Sequence, residues 1–169
     1  LGKLGGRMAQ IARAFEMDVI AWSQNLTEER AAECGARKVD KETLFRNADV
    51  VSLHLILSDR SRQIVGRNEI GLMKKDAILV NTSRGPLIDE AALLDALNAG
   101  SIRAGLDVYD IEPLPANHPL RNAPNVTLSP HLGYVTQETY EFFHRDIVDN
   151  IIAWREGAPV RVLAAPEKS

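Results

Sequence analysis

Short apolar runs bounded by Gly, Pro and polar residues alternate with helical patterns along this chain of 169 residues. Such runs are typical of the buried strands of a parallel sheet, and the helical patterns between them are typical of crossover helices. The runs predict strands at residues 19–22, 36–39, 49–55, 77–81, 102–106 and 126–128. The alternation of strand and helix predicts an α/β fold with a doubly wound parallel sheet.

Capping residues mark where helices begin between the strands. Thr27, Asp89 and Thr136 stand at predicted helix starts, because their side-chain oxygens can accept the free N–H groups of a first turn. We expect residues 1–135 to form a Rossmann dinucleotide-binding domain, and residues 136–169 to form a C-terminal helix and tail that lead to a substrate domain. The Pro- and Ala-rich tail beyond Pro159 is interpreted as a docking segment or as disorder.

The composition argues against several classes of protein. The chain has 20 basic and 23 acidic residues and a net charge of −3, which favours neither nucleic acid nor an acidic membrane as a partner. No apolar run approaches the ~20 residues that span a bilayer.

Cys34 is the only cysteine, so an intrachain disulfide is impossible and we expect a cytoplasmic protein. The His, Cys and carboxylate residues lack metal-ligand spacing, so we expect no metal site.

Three charged residues follow the last three predicted strands. They are Arg84, Glu112 and His131, and they lie far apart in the sequence. In an open α/β sheet, ligands bind outside the carboxyl ends of the strands, so these side chains can meet in one crevice. A guanidinium that clamps a carboxylate, beside a histidine tuned by a carboxylate, is suited to an enzyme.

The first residues look like part of a phosphate-binding turn. The segment Leu1-Gly2-Lys3-Leu4-Gly5 matches the dinucleotide fingerprint G-x-G-x-x-G without its first glycine. In that interpretation Gly2 allows the backbone to approach the pyrophosphate, and Gly5 allows close packing of helix on strand. A flexible glycine-rich start would look the same, but the position before a helix and then a strand favours the fingerprint.

The end of the next predicted strand bears on the choice of cofactor. NAD-preferring sites usually carry Asp or Glu about 20 residues after the glycines, where the carboxylate holds the ribose hydroxyls. Here Ser23 stands at that position and is followed by Gln24 and Asn25. No carboxylate repels a 2′-phosphate there, and no Arg follows directly to attract one. NAD and NADP both stay open, with NADP slightly favoured.

The sequence resembles the D-isomer-specific 2-hydroxyacid dehydrogenase family over nearly its whole length. The resemblance rests on Gly2-Lys3-Leu4-Gly5, the run at 50–57 with His54, Val80-Asn81-Thr82-Ser83-Arg84-Gly85, Gly105-Leu106-Asp107-Val108, Glu112-Pro113 and Ser129-Pro130-His131-Leu132-Gly133. It implies an oxidoreductase that transfers a hydride between NAD or NADP and a small D-2-hydroxy acid or its 2-keto partner.

The resemblance also implies a role for each matching residue. Arg84 would bind the substrate carboxylate, and His131 would exchange a proton with the C2 oxygen. Glu112 would hydrogen-bond the other imidazole nitrogen and favour the imidazolium. Asp107 would contact the nicotinamide carboxamide. The other cofactor-binding candidates are Gly2, Lys3, Leu4, Gly5, Ser23, Leu55, Ile56, Thr82 and Ser83. Many relatives have proline where Ile56 stands, so the loop there departs from the family pattern.

Two other classes of function are open on the same residues. One is a nucleotide-sensing binding protein, similar to the transcriptional corepressors that resemble this family, and the other is a cofactor-binding fragment without turnover. Because no strand precedes Leu1, we expect a truncated chain, inactive alone, from which the first strand and the substrate domain are missing. We expect the complete enzyme to be a homodimer, and the sequence leaves the particular 2-hydroxy acid open.

Overall fold

The computed structural model describes residues 1–163. The predicted tail beyond Pro159 falls partly on residues 164–169, which lie outside the described residues. The chain divides into two compact units, Leu1–His131 and Leu132–Ser169. The strands of the first unit are β1 (Ile20–Ala21), β2 (Arg37–Lys38), β3 (Val50–Leu53), β4 (Ile78–Asn81), β5 (Arg103–Leu106) and β6 (Val126–Leu128).

Helices separate these strands. Those of the first unit are α1 (Lys3–Ala14), α2 (Glu28–Glu33), α3 (Lys41–Asn47), α4 (Arg67–Leu72) and α5 (Glu90–Asn98), with short 3₁₀ turns at Gly85–Leu87 and Pro119–Asn122. The described part of the second unit is built on α6 (Gln137–Arg155). Among residues 1–163, no helix is long and apolar enough to cross a membrane.

All the strand pairs in the described chain are parallel. One sheet has the order β3-β4-β5-β6, and a second sheet pairs β1 with β2. The pairing of β1 with β2 and the order β3-β4-β5-β6 are each compatible with a part of the doubly wound order 3-2-1-4-5-6. Among residues 1–163, no strand joins the two sheets by hydrogen bonds. The predicted α/β, Rossmann-type fold is confirmed.

Five of the six strands are shorter than the apolar runs that predict them, whereas β6 has the predicted bounds. The run at 19–22 yields only Ile20 and Ala21, which pair with Arg37 and Lys38. Likewise the run at 49–55 yields only the four residues that pair with β4. A run of apolar residues reports burial, whereas the ends of a strand are set by how many partners the neighbouring strand offers.

The predicted capping residues fix the helix starts as expected. The Thr27 hydroxyl accepts the Arg30 N–H at 3.1 Å, and the Asp89 carboxylate accepts the Ala92 N–H at 3.1 Å. In the second unit, the Thr136 hydroxyl accepts the N–H of the third residue of α6 at 3.2 Å. Each bond satisfies one of the N–H groups that a helix start leaves without an intrahelical partner.

The main core lies on the four-stranded sheet. Leu79 of β4 is fully buried, and the largest buried side chains around it come from the segments after β4 and from α5, namely Leu87, Leu93 and Leu97. A smaller core gathers Ala21, Leu26, Ala31 and Ala36 around β1 and β2. The cores anchor the strands, and thereby the loops that follow them.

Candidate active site

The carboxyl ends of four strands lie side by side. In the parallel register Leu53 pairs with Asn81, Asn81 with Leu106, and Leu106 with Leu128. These are the last residues of β3, β4, β5 and β6, so the loops that follow them leave the sheet at one edge. The three residues predicted to be catalytic are carried by the loops after β4, β5 and β6.

The loop after β4 is fixed by Asn81, whose side chain is buried. Its Nδ2 donates to the carbonyl of Arg84 at 2.8 Å, and its Oδ1 accepts the N–H of Ser83 at 3.1 Å. The Ser83 hydroxyl donates to the carbonyl of Leu53 at 2.7 Å, which ties the loop to the end of β3. The backbone of Arg84 is therefore held in place while its side chain is exposed.

Gly85 brings this loop against the loop after β5. A Cβ at position 85 would lie 2.1 Å from the carbonyl carbon of Tyr109 and 2.5 Å from the backbone N of Asp110. The obstructing atoms belong to the backbone, so no side chain can rotate away to make room. Glycine at this position lets the residue before it, Arg84, stand beside the loop that carries Glu112.

Glu112 and His131 form a direct pair. His131 Nδ1 lies 2.6 Å from Glu112 Oε2, as the sequence predicts. The other carboxylate oxygen of Glu112 accepts the backbone N–H of Tyr109 at 2.9 Å. Both oxygens of the carboxylate are thereby oriented, and the imidazole is held through Nδ1, so that Nε2 is the ring nitrogen suited to proton exchange with a substrate.

The surroundings of Glu112 favour its charged form. Burial acts to raise the pKa of this carboxyl, but the hydrogen bonds from His131 and from the Tyr109 N–H outweigh it. The positive charge of Arg84 acts in the same direction as these bonds, and the net pKa of Glu112 is lowered. Glu112 is thus a carboxylate at neutral pH, and the guanidinium of Arg84 is near enough to act on it electrostatically.

The predicted phosphate turn lies at the start of α1. Gly2 caps the helix, has open space beside its Cα, and is followed by a first turn without acidic residues. Gly5 is buried, and a Cβ there would meet His54 at an ordinary contact distance of 3.4 Å. Within this turn the closest packing is at Gly6 and not at Gly5, because a Cβ on Gly6 would lie 3.2 Å from Cys34 Sγ.

Ser23 lies in an open cleft of about 380 Å³ next to β1 and β2. The cleft is also lined by Trp22, Gln24, Glu28, Lys38, Val39 and Asp40. Lys38 supplies a cation that the sequence analysis missed, because the pairing of Ala21 with Lys38 across the two strands is not visible in the sequence. The cleft therefore contains one cation, Lys38, together with the carboxylates of Glu28 and Asp40, although Ser23 itself carries no charge.

The remaining cofactor candidates follow the same strand ends. Leu55 is partly buried against the main core, whereas Ile56 is 88% exposed in the loop after β3. Thr82 is exposed after β4. Asp107 is buried after β5, and its backbone N–H donates to the Asn81 carbonyl at 3.0 Å.

The other three histidines have partners of their own. His54 Nε2 lies 3.0 Å from the Ser52 hydroxyl, and burial lowers the pKa of His54. His118 Nε2 lies 3.2 Å from a carboxylate oxygen of Glu90, and His144 Nδ1 lies 2.8 Å from a backbone carbonyl of its own helix. Among residues 1–163, no group of three or more His, Cys, Asp or Glu side chains is placed to hold a metal ion.

The fold is that of a dinucleotide-binding domain, and it holds a carboxylate–imidazole pair, Glu112 and His131, at the carboxyl ends of its strands. The family described as D-isomer specific 2-hydroxyacid dehydrogenase, NAD binding domain, matches residues 1–133. The chain belongs to this family.

Individual relatives agree with that assignment. The chain is 42% identical over 158 residues to a glyoxylate reductase from Aeropyrum pernix, covering 93% of this chain and 47% of the relative. A crystal structure of a phosphoglycerate oxidoreductase from Vibrio cholerae superposes with a TM-score of 0.86 at 40% identity, covering 94% of this chain and 51% of the other. An acyclic imino acid reductase in complex with NADPH and D-Arg superposes with a TM-score of 0.74 at 32% identity, covering 96% and 51%. The chain spans about half the length of the curated relatives it matches.

Proposed function

We propose that the protein is an oxidoreductase that transfers a hydride between a nicotinamide cofactor and a small D-2-hydroxy acid or 2-keto acid. The observation that carries this proposal is the 2.6 Å contact between His131 Nδ1 and Glu112 Oε2 at the sheet edge that also carries Arg84. An imidazole oriented by a carboxylate is suited to proton transfer, and a guanidinium beside it is suited to a carboxylate substrate.

The three residues divide the work of reduction. Arg84 binds the carboxylate of the 2-keto acid through two parallel hydrogen bonds, which directs the C2 oxygen towards His131. The bound cofactor supplies the hydride that C2 receives. The protonated His131 gives its Nε2 proton to the C2 oxygen, so that a hydroxyl forms and the imidazole becomes neutral. Glu112 holds Nδ1 and stabilises the imidazolium before the transfer. Oxidation of the hydroxy acid reverses these steps.

The cofactor is NAD or NADP, and the described residues offer places for each part of it. The start of α1 at Gly2 suits the pyrophosphate, because its N–H groups meet no competing acidic residue in the first turn. Ser23 would face the adenosine ribose. The same cleft contains Lys38, which favours a 2′-phosphate, and the carboxylates of Glu28 and Asp40, which disfavour one, so we propose both NAD and NADP. The other residues that we propose along its path are Lys3, Leu4, Gly5, Leu55, Ile56, Thr82, Ser83 and Asp107.

We propose a small 2-keto acid such as glyoxylate as the substrate, because a relative of 42% identity is named a glyoxylate reductase. A nucleotide-sensing binding protein is not favoured, since the family and the named relatives are dehydrogenases and reductases. A binding protein would need only the cofactor site, and the oriented pair of Glu112 and His131 would then have no function.

We further propose that the complete enzyme is a cytoplasmic homodimer. The apolar side chain of Ile11 in α1 is 50% exposed and that of Phe15, just after this helix, is 77% exposed, as is common for surfaces that subunits cover. The lone thiol of Cys34 is buried and is compatible with a reducing compartment. Light scattering of the purified full-length protein tests the assembly, and a monomeric mass would contradict the homodimer.

Turnover assays test the function. The full-length protein is incubated with NADH or NADPH and with glyoxylate, hydroxypyruvate or pyruvate. The fall in the absorbance of the reduced cofactor measures turnover. The reverse direction compares D-lactate with L-lactate as a matched control of chirality. We expect reduction of at least one 2-keto acid and oxidation of the D-isomer only. Binding of cofactor without turnover of any of these acids would contradict an enzyme of this class and would favour a binding protein.

A further inference from the structure

Tyr109 lies on the loop after β5 that also carries Glu112, and it contacts the loop after β4 and the segment after β6. Its side chain is 6% exposed, although its neighbour Asp110 is at the surface. Its backbone N–H donates to Glu112 Oε1 at 2.9 Å, and its hydroxyl lies 2.9 Å from the carbonyl oxygen of Ser129. Neither the N–H nor the hydroxyl of Tyr109 takes part in the proposed transfer of the proton and the hydride.

The hydroxyl of Tyr109 acts on the segment that presents His131. Ser129 stands two residues before His131, and its own N–H donates to the Leu106 carbonyl at 2.9 Å. The Ser129 peptide is therefore held on both sides, by the end of β5 and by Tyr109. His131 itself has a φ of +56°, a left-handed conformation that a residue with a side chain keeps only where its surroundings hold it.

The backbone of Tyr109 acts on Glu112 in its own loop and on the loop after β4. Its N–H orients Glu112, and its carbonyl group is in contact with Gly85, next to Arg84. The hydroxyl remains a donor at neutral pH, since burial first of all raises the pKa of Tyr109. Tyr109 thus contacts the loop that carries Arg84, the carboxylate of Glu112 and the segment that carries His131.

We propose that Tyr109 is a positioning residue, whose hydroxyl holds the Ser129 carbonyl and thereby keeps the His131 imidazole at hydrogen-bond distance from Glu112. The proposal rests on the proposed function for its effect on turnover, whereas the effect on the His131–Glu112 hydrogen bond is independent of it. Loss of the hydroxyl should lengthen this bond without removing either partner.

Tyr109→Phe tests the proposal in the full-length protein, because it removes the oxygen and keeps the buried ring. Histidine-selective ¹⁵N labelling reports the Nδ1 proton of His131, which a short bond to a carboxylate moves downfield, and His131→Gln assigns it by its loss. We expect this resonance to move upfield or broaden in Tyr109→Phe. We also expect kcat to fall about tenfold, as for the loss of one hydrogen bond, with KM and cofactor affinity unchanged.

Tyr140→Phe is the matched control, because Tyr140 lies on α6 and its side chain is half exposed. It should leave the resonance and kcat as in the wild type. If Tyr109→Phe does not fold, Tyr109→Met also lacks the donor and keeps the apolar volume. The proposal would be overturned if folded Tyr109→Phe shows the His131 Nδ1 resonance at its wild-type position, even with a lower melting temperature. It would also be overturned if the wild type shows no such resonance. A wild type that reduces no 2-keto acid, with a resonance that still responds to Tyr109→Phe, would refute the proposed function and leave the positioning role standing.

Discussion

Gly85 lies so close to Tyr109 that a Cβ at position 85 would stand 2.1 Å from the carbonyl carbon of Tyr109. The contact joins the loop after β4 to the loop after β5 through backbone atoms alone. It brings the loop that carries Arg84 next to the loop that carries Glu112, although 27 residues lie between these two in the sequence.

Gly85→Ala should force these two loops apart. We expect a loss of about 3 kcal/mol in the free energy of unfolding, the upper end for overpacking, because the backbone cannot yield cheaply. Urea unfolding measures it. Gly71→Ala is the matched control, since a Cβ there meets nothing within 4 Å. Gly71 lies in α4, so that substitution should be neutral or stabilise the fold by about 0.5–1 kcal/mol. Equal stabilities for the two variants would contradict the close contact.

Arg84→Lys should weaken the use of the 2-keto acid and spare the cofactor. Lysine keeps the charge but cannot form two parallel hydrogen bonds, so we expect kcat/KM for the keto acid to fall about 10- to 100-fold. The dissociation constant of NADH or NADPH should not change. Arg46→Lys, in an exposed pair with Glu42, controls for the substitution itself. Wild-type kinetics in Arg84→Lys would remove this residue from the substrate site.

Ser23→Asp should shift the preference of the enzyme towards NAD. The new carboxylate would accept hydrogen bonds from the ribose hydroxyls of NAD. It would repel the 2′-phosphate of NADP, which we expect to lie near Lys38. The measurement is the ratio of the dissociation constants of NADPH and NADH, which should rise. Asn117→Asp adds the same charge in an exposed loop and should leave the ratio unchanged. Equal weakening of both cofactors by Ser23→Asp would place Ser23 away from the adenosine ribose.

Glu69 should make the stability depend on pH. Burial acts to raise the pKa of its carboxyl, but hydrogen bonds from Lys41 at 2.8 Å and from the Gly66 N–H at 2.9 Å lower it overall. A carboxyl whose pKa is lowered by folding stabilises the fold above its unfolded-state pKa of about 4.3. That stabilisation is lost as the pH falls through the lower pKa of the folded state.

Glu69→Gln should therefore cost about 1–2 kcal/mol of unfolding free energy at neutral pH, as for lost hydrogen bonds to a charged group. The difference from the wild type should shrink as the pH falls below about 4. Chemical unfolding across this range is the measurement. Glu42→Gln breaks an exposed ion pair with Arg46 and should change the stability by less than about 0.5 kcal/mol. A Glu69→Gln difference that stays constant with pH would contradict the assignment.

The sequence predicts the placement of the proposed catalytic residues well, for a physical reason. Parallel strands align their carboxyl ends, so residues that follow three such strands are expected at one edge. The direct contact of His131 with Glu112 was implied by the family resemblance, and the structure shows it. Helix starts are equally local, since Thr27 and Asp89 need only reach an N–H three residues on.

Contacts between distant segments could not be predicted in the same way. The approach of Gly85 to Tyr109, the packing of Gly6 on Cys34, and the arrival of Lys38 beside Ser23 each depend on how two separate segments pack. The hydrophobic pattern reports which side chains are buried, but it does not report which atoms they meet. The apolar runs overestimate the strands for the same reason, because pairing partners decide where a strand ends.

The role of His131 as the proton donor is tested by the turnover of a 2-keto acid by the full-length protein, compared between the wild type and His131→Gln. Glutamine has a similar reach and can still contact Glu112, but it cannot deliver a proton as an imidazolium does. We predict that kcat falls about 10²- to 10⁴-fold, with the dissociation constant of the cofactor unchanged. Turnover of His131→Gln at the wild-type rate would contradict the account.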